Sequence, residues 1–332
     1  MTAGTDLTAP PICSRAEDPV GGFHPSDQGH QPADGSARVT IGVAILTFQR
    51  DAVLVSALES VFAQTRLPDQ VVVVESGPGP ASMGPIRNRF SSVKWIQLPW
   101  NMGCPVGRSI AMANCPADVV YCLDDDGRLH ESCLETVERV FAAHPGAGVI
   151  ASKVVRTNSP DQELVSAQLA KPPRRTVRFS GGASAIRRQA LLKSGYYPSD
   201  FWRQSEEADL AIRVIDSGFE ILYAPGAMMF HPPGVSGNPA TLYYSALNSL
   251  RSVVRLCPWR YIVFVLPHQV GRYVRLGMTR RAMPSVMAGL LRFTADLPAL
   301  LRGRRPVRPA TMRTFLEIRL ECKTSMRGPR ER

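Results

Sequence analysis

Three consecutive carboxylates follow an apolar run: Val119-Val120-Tyr121-Cys122-Leu123 leads into Asp124-Asp125-Asp126-Gly127. Like charges this close repel unless a cation neutralises them or each acid has its own partner. On an extended backbone Asp124 and Asp126 point to the same side, so both can reach one divalent ion. A solvated acidic turn at a strand end has the same sequence, and this stretch alone leaves both readings open. A second acidic group, Glu206-Glu207-Ala208-Asp209, follows Ser205. Ser205 is a good N-cap, and acids in a first helical turn complement the helix dipole. A carboxylate there is equally suited to accepting a proton. His231, ahead of Pro232-Pro233, is either a loop histidine or a ligand.

The elements that must position these groups alternate between strand and helix. Val39 to Thr47 reads as a strand, Asp51 as the cap of a helix over 52–63, and Val71 to Val74 as a second strand. Val93 to Leu98 is a third strand, followed by a helix ending near Asn114, the Val119–Leu123 strand, and a helix from Glu131 to His144. This alternation predicts a parallel sheet covered on both faces, with the acids at the carboxyl edge where such sheets place ligands. Further on, Phe179 to Ile186 reads as a strand whose Gly181-Gly182 pair lets a backbone or ligand come close. A helix over 187–194, one from Glu206 to about Ser217, and a strand from Phe219 to Tyr223 complete the ordered part.

The 332 residues are 44% hydrophobic and 20% charged, values of a globular chain large enough to bury a sizeable core. Seven scattered cysteines form no zinc or CxxC spacing and imply reduced thiols in a cytosolic protein. No signal sequence and no long uninterrupted apolar stretch is evident, so neither secretion nor a membrane span is expected. The net charge of +11 is concentrated at one end: residues 251–332 hold 18 Lys/Arg against 4 Asp/Glu, a balance of +14. Residues 1–37, rich in Pro, Gly, Ser and Asp, read as a disordered tail. The expected division is thus a tail (1–37), an α/β domain (38–250) and a basic, amphipathic, mainly helical region (251–332).

In order and spacing, residues 39–235 resemble the family 2 glycosyltransferases, inverting enzymes of the GT-A fold, a Rossmann-like and mostly parallel sheet with helices on both faces. Thr47-Phe48-Gln49-Arg50 is similar to the family's opening Thr-Tyr-Asn-Arg segment, and Val74-Glu75-Ser76-Gly77 to the segment whose acid holds the nucleotide base. Asn101-x-Gly103 with Gly107-Arg108 resembles a further family segment, with Ser109 in place of an Asn. Asp124-Asp125-Asp126 matches the DxD-type metal motif, Ser205 to Arg213 resembles Gly-Glu-Asp-x-Asp-Leu-x-x-Arg, and His231 matches a late metal-ligand histidine. The resemblance implies Glu207 as catalytic base, where the family normally has Asp, and Asp124, Asp126 and His231 as ligands of Mn²⁺ or Mg²⁺. It implies substrate contacts for Thr47, Phe48, Arg50, Glu75, Asn101, Gly103, Arg108, Asp124, Asp125, Gly182, Trp202, Glu206 and Asp209.

The expected function is therefore hexosyl or deoxyhexosyl transfer from a nucleotide-diphosphate sugar to a hydroxyl of a glycan, a lipid-linked molecule or a small molecule. Cell-envelope polysaccharide, glycolipid or glycosylated-metabolite synthesis would use such a reaction. The alternatives are a phosphohydrolase using the Asp-rich strand end and a non-catalytic, membrane-associated scaffold. The basic C-terminal region, with Trp259–Leu266 apolar and arginines interleaved, suits a peripheral position on an anionic membrane at its cytoplasmic, inner face; a helical cap on the catalytic domain reads similarly. No nucleic-acid motif accompanies the charge, so no nucleic-acid partner is expected.

Overall fold

The computed structural model describes residues 38–79, 83–157, 162–233 and 239–325; the expected tail lies outside these. The chain begins with β1 (Ile41–Thr47), α1 (Asp51–Phe62), β2 (Gln70–Glu75), α2 (Met83–Arg89), β3 (Lys94–Gln97), α3 (Cys104–Ala113) and β4 (Val119–Asp124). It continues with β5 (Arg128–Leu129), α4 (Cys133–Ala143), β6 (Ala147–Arg156), α5 (Gln162–Leu169), β7 (Arg174–Arg175), β8 (Ala183–Arg187), α6 (Arg188–Ser194), α7 (Glu206–Asp216) and β9 (Glu220–His231). Four helices follow: α8 (Pro239–Leu256), α9 (Trp259–Thr279), α10 (Met283–Arg302) and α11 (Pro309–Ser325).

The nine strands form one sheet in the order β3-β2-β1-β4-β8-β6-β9-β5, with β7 on β9. The first four are parallel, as the alternation predicts; β8 then runs antiparallel to both β4 and β6, so the sheet is mixed. Strand alternation divides its side chains between two cores. Ile41, Val43 and Ile45 of β1 face α1 and α4, while Ala44 faces α3 with Val72, Val74 and Cys122.

Three local expectations change. β9 does not stop at Tyr223 but runs to His231, because Pro225 and Gly226 fall in a register shift against β6, where no ladder N–H is needed. His231 is therefore a strand-end residue. Ser205 does not cap α7: it is left-handed (φ +70°) and its hydroxyl meets Ser249 Oγ at 3.0 Å instead. Asp51 is the first residue of α1 rather than its cap, with Arg50 preceding it.

The helix α8 runs through the 250/251 division suggested by charge. It joins the α/β part to the last helices through Ser252, whose hydroxyl donates to Asp209 of α7 at 2.8 Å, and through Asn248, whose amide donates to the carbonyls of Arg203 and Gln204. On its other side Leu247, Leu250 and Val254 pack against Phe293 and Leu300 of α10. The apolar run 259–266 lies within α9, and both later apolar patches lie in α10. None of these helices is long and apolar enough to cross a membrane.

Candidate active site

The carboxyl edge of β4 gathers the strand-end acids, and each finds a different partner. Asp124 accepts from Arg108 Nη2 at 2.5 Å, and Arg108 also reaches Glu206 at 3.3 Å. Asp125 turns inward: it accepts from Thr47 Oγ1 at 2.8 Å and Arg50 Nη1 at 3.0 Å. Burial pushes its carboxyl up to about 6, against the pull of Thr47 and Arg50. Asp126 binds Arg50 Nη2 at 2.6 Å through one oxygen, and its other oxygen lies 3.1 Å from His231 Nε2.

The histidine contact defines what the cluster can hold. His231 Nδ1 lies 2.7 Å from the Pro232 carbonyl, which can only accept, so Nδ1 carries the proton. In the neutral ring Nε2 is then a lone pair facing a carboxylate oxygen. Two acceptors at that separation need a proton or a cation between them. Asp124, Asp126 and His231 each place a ligand atom within 4.8 Å of the others, and two carboxylates with one Nε2 are a donor set suited to Mn²⁺ or Mg²⁺. The residues fit a divalent metal.

Across from this cluster stands the start of α7. The loop Gly181-Gly182 separates the two: Gly182 accepts from the Asp124 N–H at 3.0 Å, and the Gly181 N–H donates to Glu207 Oε1 at 3.0 Å. A Cβ on Gly182 would lie 1.9 Å from the Asp124 carboxylate, so glycine is required there. Glu206 is buried, and burial first, then the charge of Glu207, pushes its carboxyl up to about 7 despite Arg108. Glu207 is only half-buried. Asp209, expected at the substrate, is instead buried, held by Arg213 Nε and Ser252 Oγ, both at 2.8 Å. Its carboxylate braces α7 against α8.

A recess beside the end of β2 is lined by Thr47, Phe48, Glu75, Ser76, Gly77 and Met83. Glu75 is buried at its side; Oε1 accepts from Arg87 Nε and Nη2 at 2.9 and 2.6 Å, while Oε2 has no hydrogen-bond partner among the described residues. Asn101 Oδ1 ties the neighbouring loop together, accepting from Ser76 Oγ at 3.1 Å and the Gly103 N–H at 2.9 Å. Gly103, at φ +82°, lets the Trp202 carbonyl approach the start of α3, where it accepts from the Cys104 N–H at 3.0 Å. Trp202 thus packs on α3 beside the loop that leads into α7.

Residues 42–195 match the model of glycosyl transferase family 2. These residues belong to that family. The fold agrees with solved structures of low identity. TarS from S. aureus, in complex with UDP, superposes with a TM-score of 0.52 at 16% identity, over 65% of this chain and 64% of that one. GalNAc-T7 with UDP, GalNAc and Mn²⁺ gives 0.58 at 14% identity, over 80% and 58%. The mannosyltransferase PcManGT from Pyrobaculum calidifontis, with GDP-Man and Mn²⁺, gives 0.52 at 18%, over 79% and 77%. The chain spans 64% and 39% of the length of two TarS chains it matches and 72% of a third. No curated protein matches it at the sequence level.

Three contributors escaped the sequence reading. Arg87 sits on a short helix twelve residues after Glu75, and nothing in its spacing marks it as the partner of that acid. Gly181 reads in the sequence as half of a pair that lets a backbone or ligand come close, and its N–H donating to Glu207 is the part that spacing does not show. Tyr197 buries its hydroxyl without a partner, close enough to feel both glutamates and Arg108, and burial holds it well above its ordinary value.

Proposed function

We propose that the chain transfers a hexosyl or deoxyhexosyl group, with inversion, from a nucleotide-diphosphate sugar to an acceptor hydroxyl. The observation that carries this reading is the Asp124–Asp126–His231 set, with its opposed Asp126 and His231 acceptors, facing Glu207 across the Gly181-Gly182 loop. Asp124, Asp126 and His231 would hold a divalent cation, Mn²⁺ being favoured by the imidazole. Such an ion neutralises charge on a leaving diphosphate. Arg50 and Arg108, already beside the acids, supply further positive charge at the same edge. Glu207, half-exposed and held by one main-chain N–H, takes the proton of the acceptor hydroxyl. Glu206, buried against Arg108, orients that turn and faces the donor. The family match favours this reading over phosphoester hydrolysis.

The recess at Glu75 suits the nucleobase. With Oε1 taken by Arg87, the free and buried Oε2 matches a base with one imino N–H, such as uracil or thymine. Guanine would bring two adjacent donors to one free oxygen and leave one unpaired, which is costly when buried. The acceptor is a hydroxyl of a glycan, lipid-linked or small molecule, and the basic C-terminal helices place the protein peripherally at the inner, cytoplasmic face of an anionic membrane. Calorimetry tests the donor site. Uridine diphosphate should bind much more tightly with Mn²⁺ or Mg²⁺ than with EDTA, and Asp126→Ala should remove the difference. Equal, tight binding in EDTA would overturn the metal assignment, and tighter binding of guanosine diphosphate would overturn the base assignment.

A further inference from the structure

The last helices carry large apolar side chains that nothing among the described residues covers. α9 and α10 form an antiparallel hairpin: Tyr273 and Leu276 meet Ala282, Val286 and Leu290, and further along Leu266 and Val270 meet Phe293 and Leu297. Their inner sides pack on α8. On the outer side Val263 and Phe264 of α9 are 63% and 76% exposed, and Met287 and Leu291 of α10 are 44% and 66% exposed. These are large apolar side chains, neighbours in sequence on α9 and one helical turn apart on α10. The apolar stripe of α10 is bordered by Arg292, which is tied to Asp296 at 3.0 Å.

The charge around this face has one sign. Residues 259–302 contain seven arginines and a single acid, Asp296, which Arg251 and Arg292 already share.

We propose that the outer face of the α9–α10 hairpin, with its surrounding arginines, docks on an anionic lipid bilayer. This rests on the peripheral location proposed above and names the surface responsible. Exposed apolar side chains flanked by arginine are the composition of a segment that lies in the lipid headgroup region. Neither helix is apolar enough to span, so the hairpin lies on the surface. A second copy of the chain fits poorly, because a two-fold contact would bring together two hairpins that each carry seven arginines and one acid. The hairpin packs on α8, and α8 is in turn braced to α7, the helix that carries Glu207, through Ser252 and Asp209.

Co-sedimentation of the full chain with vesicles tests this. Phosphatidylcholine vesicles containing phosphatidylglycerol should retain the chain, phosphatidylcholine alone should not, and salt should weaken retention. Arg272→Glu with Arg275→Glu should weaken binding about tenfold or more, and Phe264→Glu with Leu291→Glu should abolish it. Uridine diphosphate affinity should be unchanged in both variants, which separates failure here from failure of the donor-site reading. Equal retention on neutral vesicles, no retention on either, or a doubled mass in light scattering that Phe264→Glu reverses would each overturn the proposal.

Discussion

Two groups of acids face each other across the Gly181-Gly182 loop, and the elements bearing them treat charge in opposite ways. β4 ends at Asp124 and the chain turns through Asp125 and Asp126, closed by the Gly127 N–H on the Asp124 carbonyl, so the three acids are dealt to Arg108, Arg50 and the Arg50–His231 pair. At the start of α7 successive residues differ by about 100° around one axis. Glu206 is therefore turned inward to Arg108, while Glu207 stays half-exposed with only a main-chain N–H from Gly181 among its hydrogen bonds. A strand end shares charge among partners and suits holding an ion. A helix start leaves one carboxylate accessible and suits taking a proton.

The sharpest way to break this contrast is Glu207→Gln. The amide keeps the shape and can still accept from Gly181, but it cannot take a proton. Turnover should fall by about 10²–10⁴, with nucleotide-sugar affinity retained. Single-turnover rates alongside calorimetry check both parts. Normal turnover in Glu207→Gln with a dead Glu206→Gln would move the base by one residue and reverse the contrast.

Gly182→Ala attacks the loop between the two groups. The added methyl meets the Asp124 carboxylate, which must move away from its present position. A displacement of about 1 Å in a catalytic group costs on the order of 10² in rate. Metal-dependent binding of uridine diphosphate should fall with it. Gly84→Ala is the control, because its Cβ meets nothing within 4 Å. Equal behaviour of the two variants would show that Asp124 has room to spare.

Much of this edge was legible in the sequence for a physical reason: an apolar strand ending in acids can place them only at a sheet edge. The succession of strands β1 to β4, the acids Asp124 to Asp126 at the end of β4, and the acids opening α7 all follow from local pattern. What stayed hidden depends on long-range pairing. The antiparallel insertion of β8 beside β4 brings Gly181 and Gly182 to the site, and no local signal sets that direction. Ser205 looked like a cap because the residue type fits, yet its left-handed backbone and its contact with Ser249 are imposed by α8. Asp209 looked like a third site acid for the same reason, and only α8 reveals it as a brace.

Asp209→Ala measures that brace. Removing the buried carboxylate takes one bond each from Arg213, which keeps the carbonyls of Ser194, Gly195 and Tyr196, and from Ser252, and hydrogen bonds to a charged group are worth about 1.5–3 kcal/mol each. Denaturant unfolding should show a loss of roughly 3–5 kcal/mol. The folded variant should bind uridine diphosphate normally. A stability within error of the parent, with donor binding lost, would return Asp209 to the substrate site.

The smallest effect is a change of slope, and it isolates Glu206. Burial and the neighbouring Glu207 raise its carboxyl from the ordinary 4.5 to about 7 in the folded chain. Between those values the folded state holds a proton that the unfolded chain has released. By linkage, stability from this group is fully present below pH 4.5, declines as pH rises, and is lost above about 7. Asp125, raised from 3.8 to about 6 chiefly by burial, adds a similar decline at lower pH, but it is present in parent and variant alike and cancels in the comparison. Glu206→Gln is neutral throughout, so the difference in unfolding free energy between variant and parent should grow in the variant's favour from pH 5 to pH 8. Arg108 keeps Asp124 as a partner in the variant, so no bare cation is left behind. Parallel curves would mean that Glu206 is ionised across the whole range, and the two glutamates of this turn would then differ in position but not in charge.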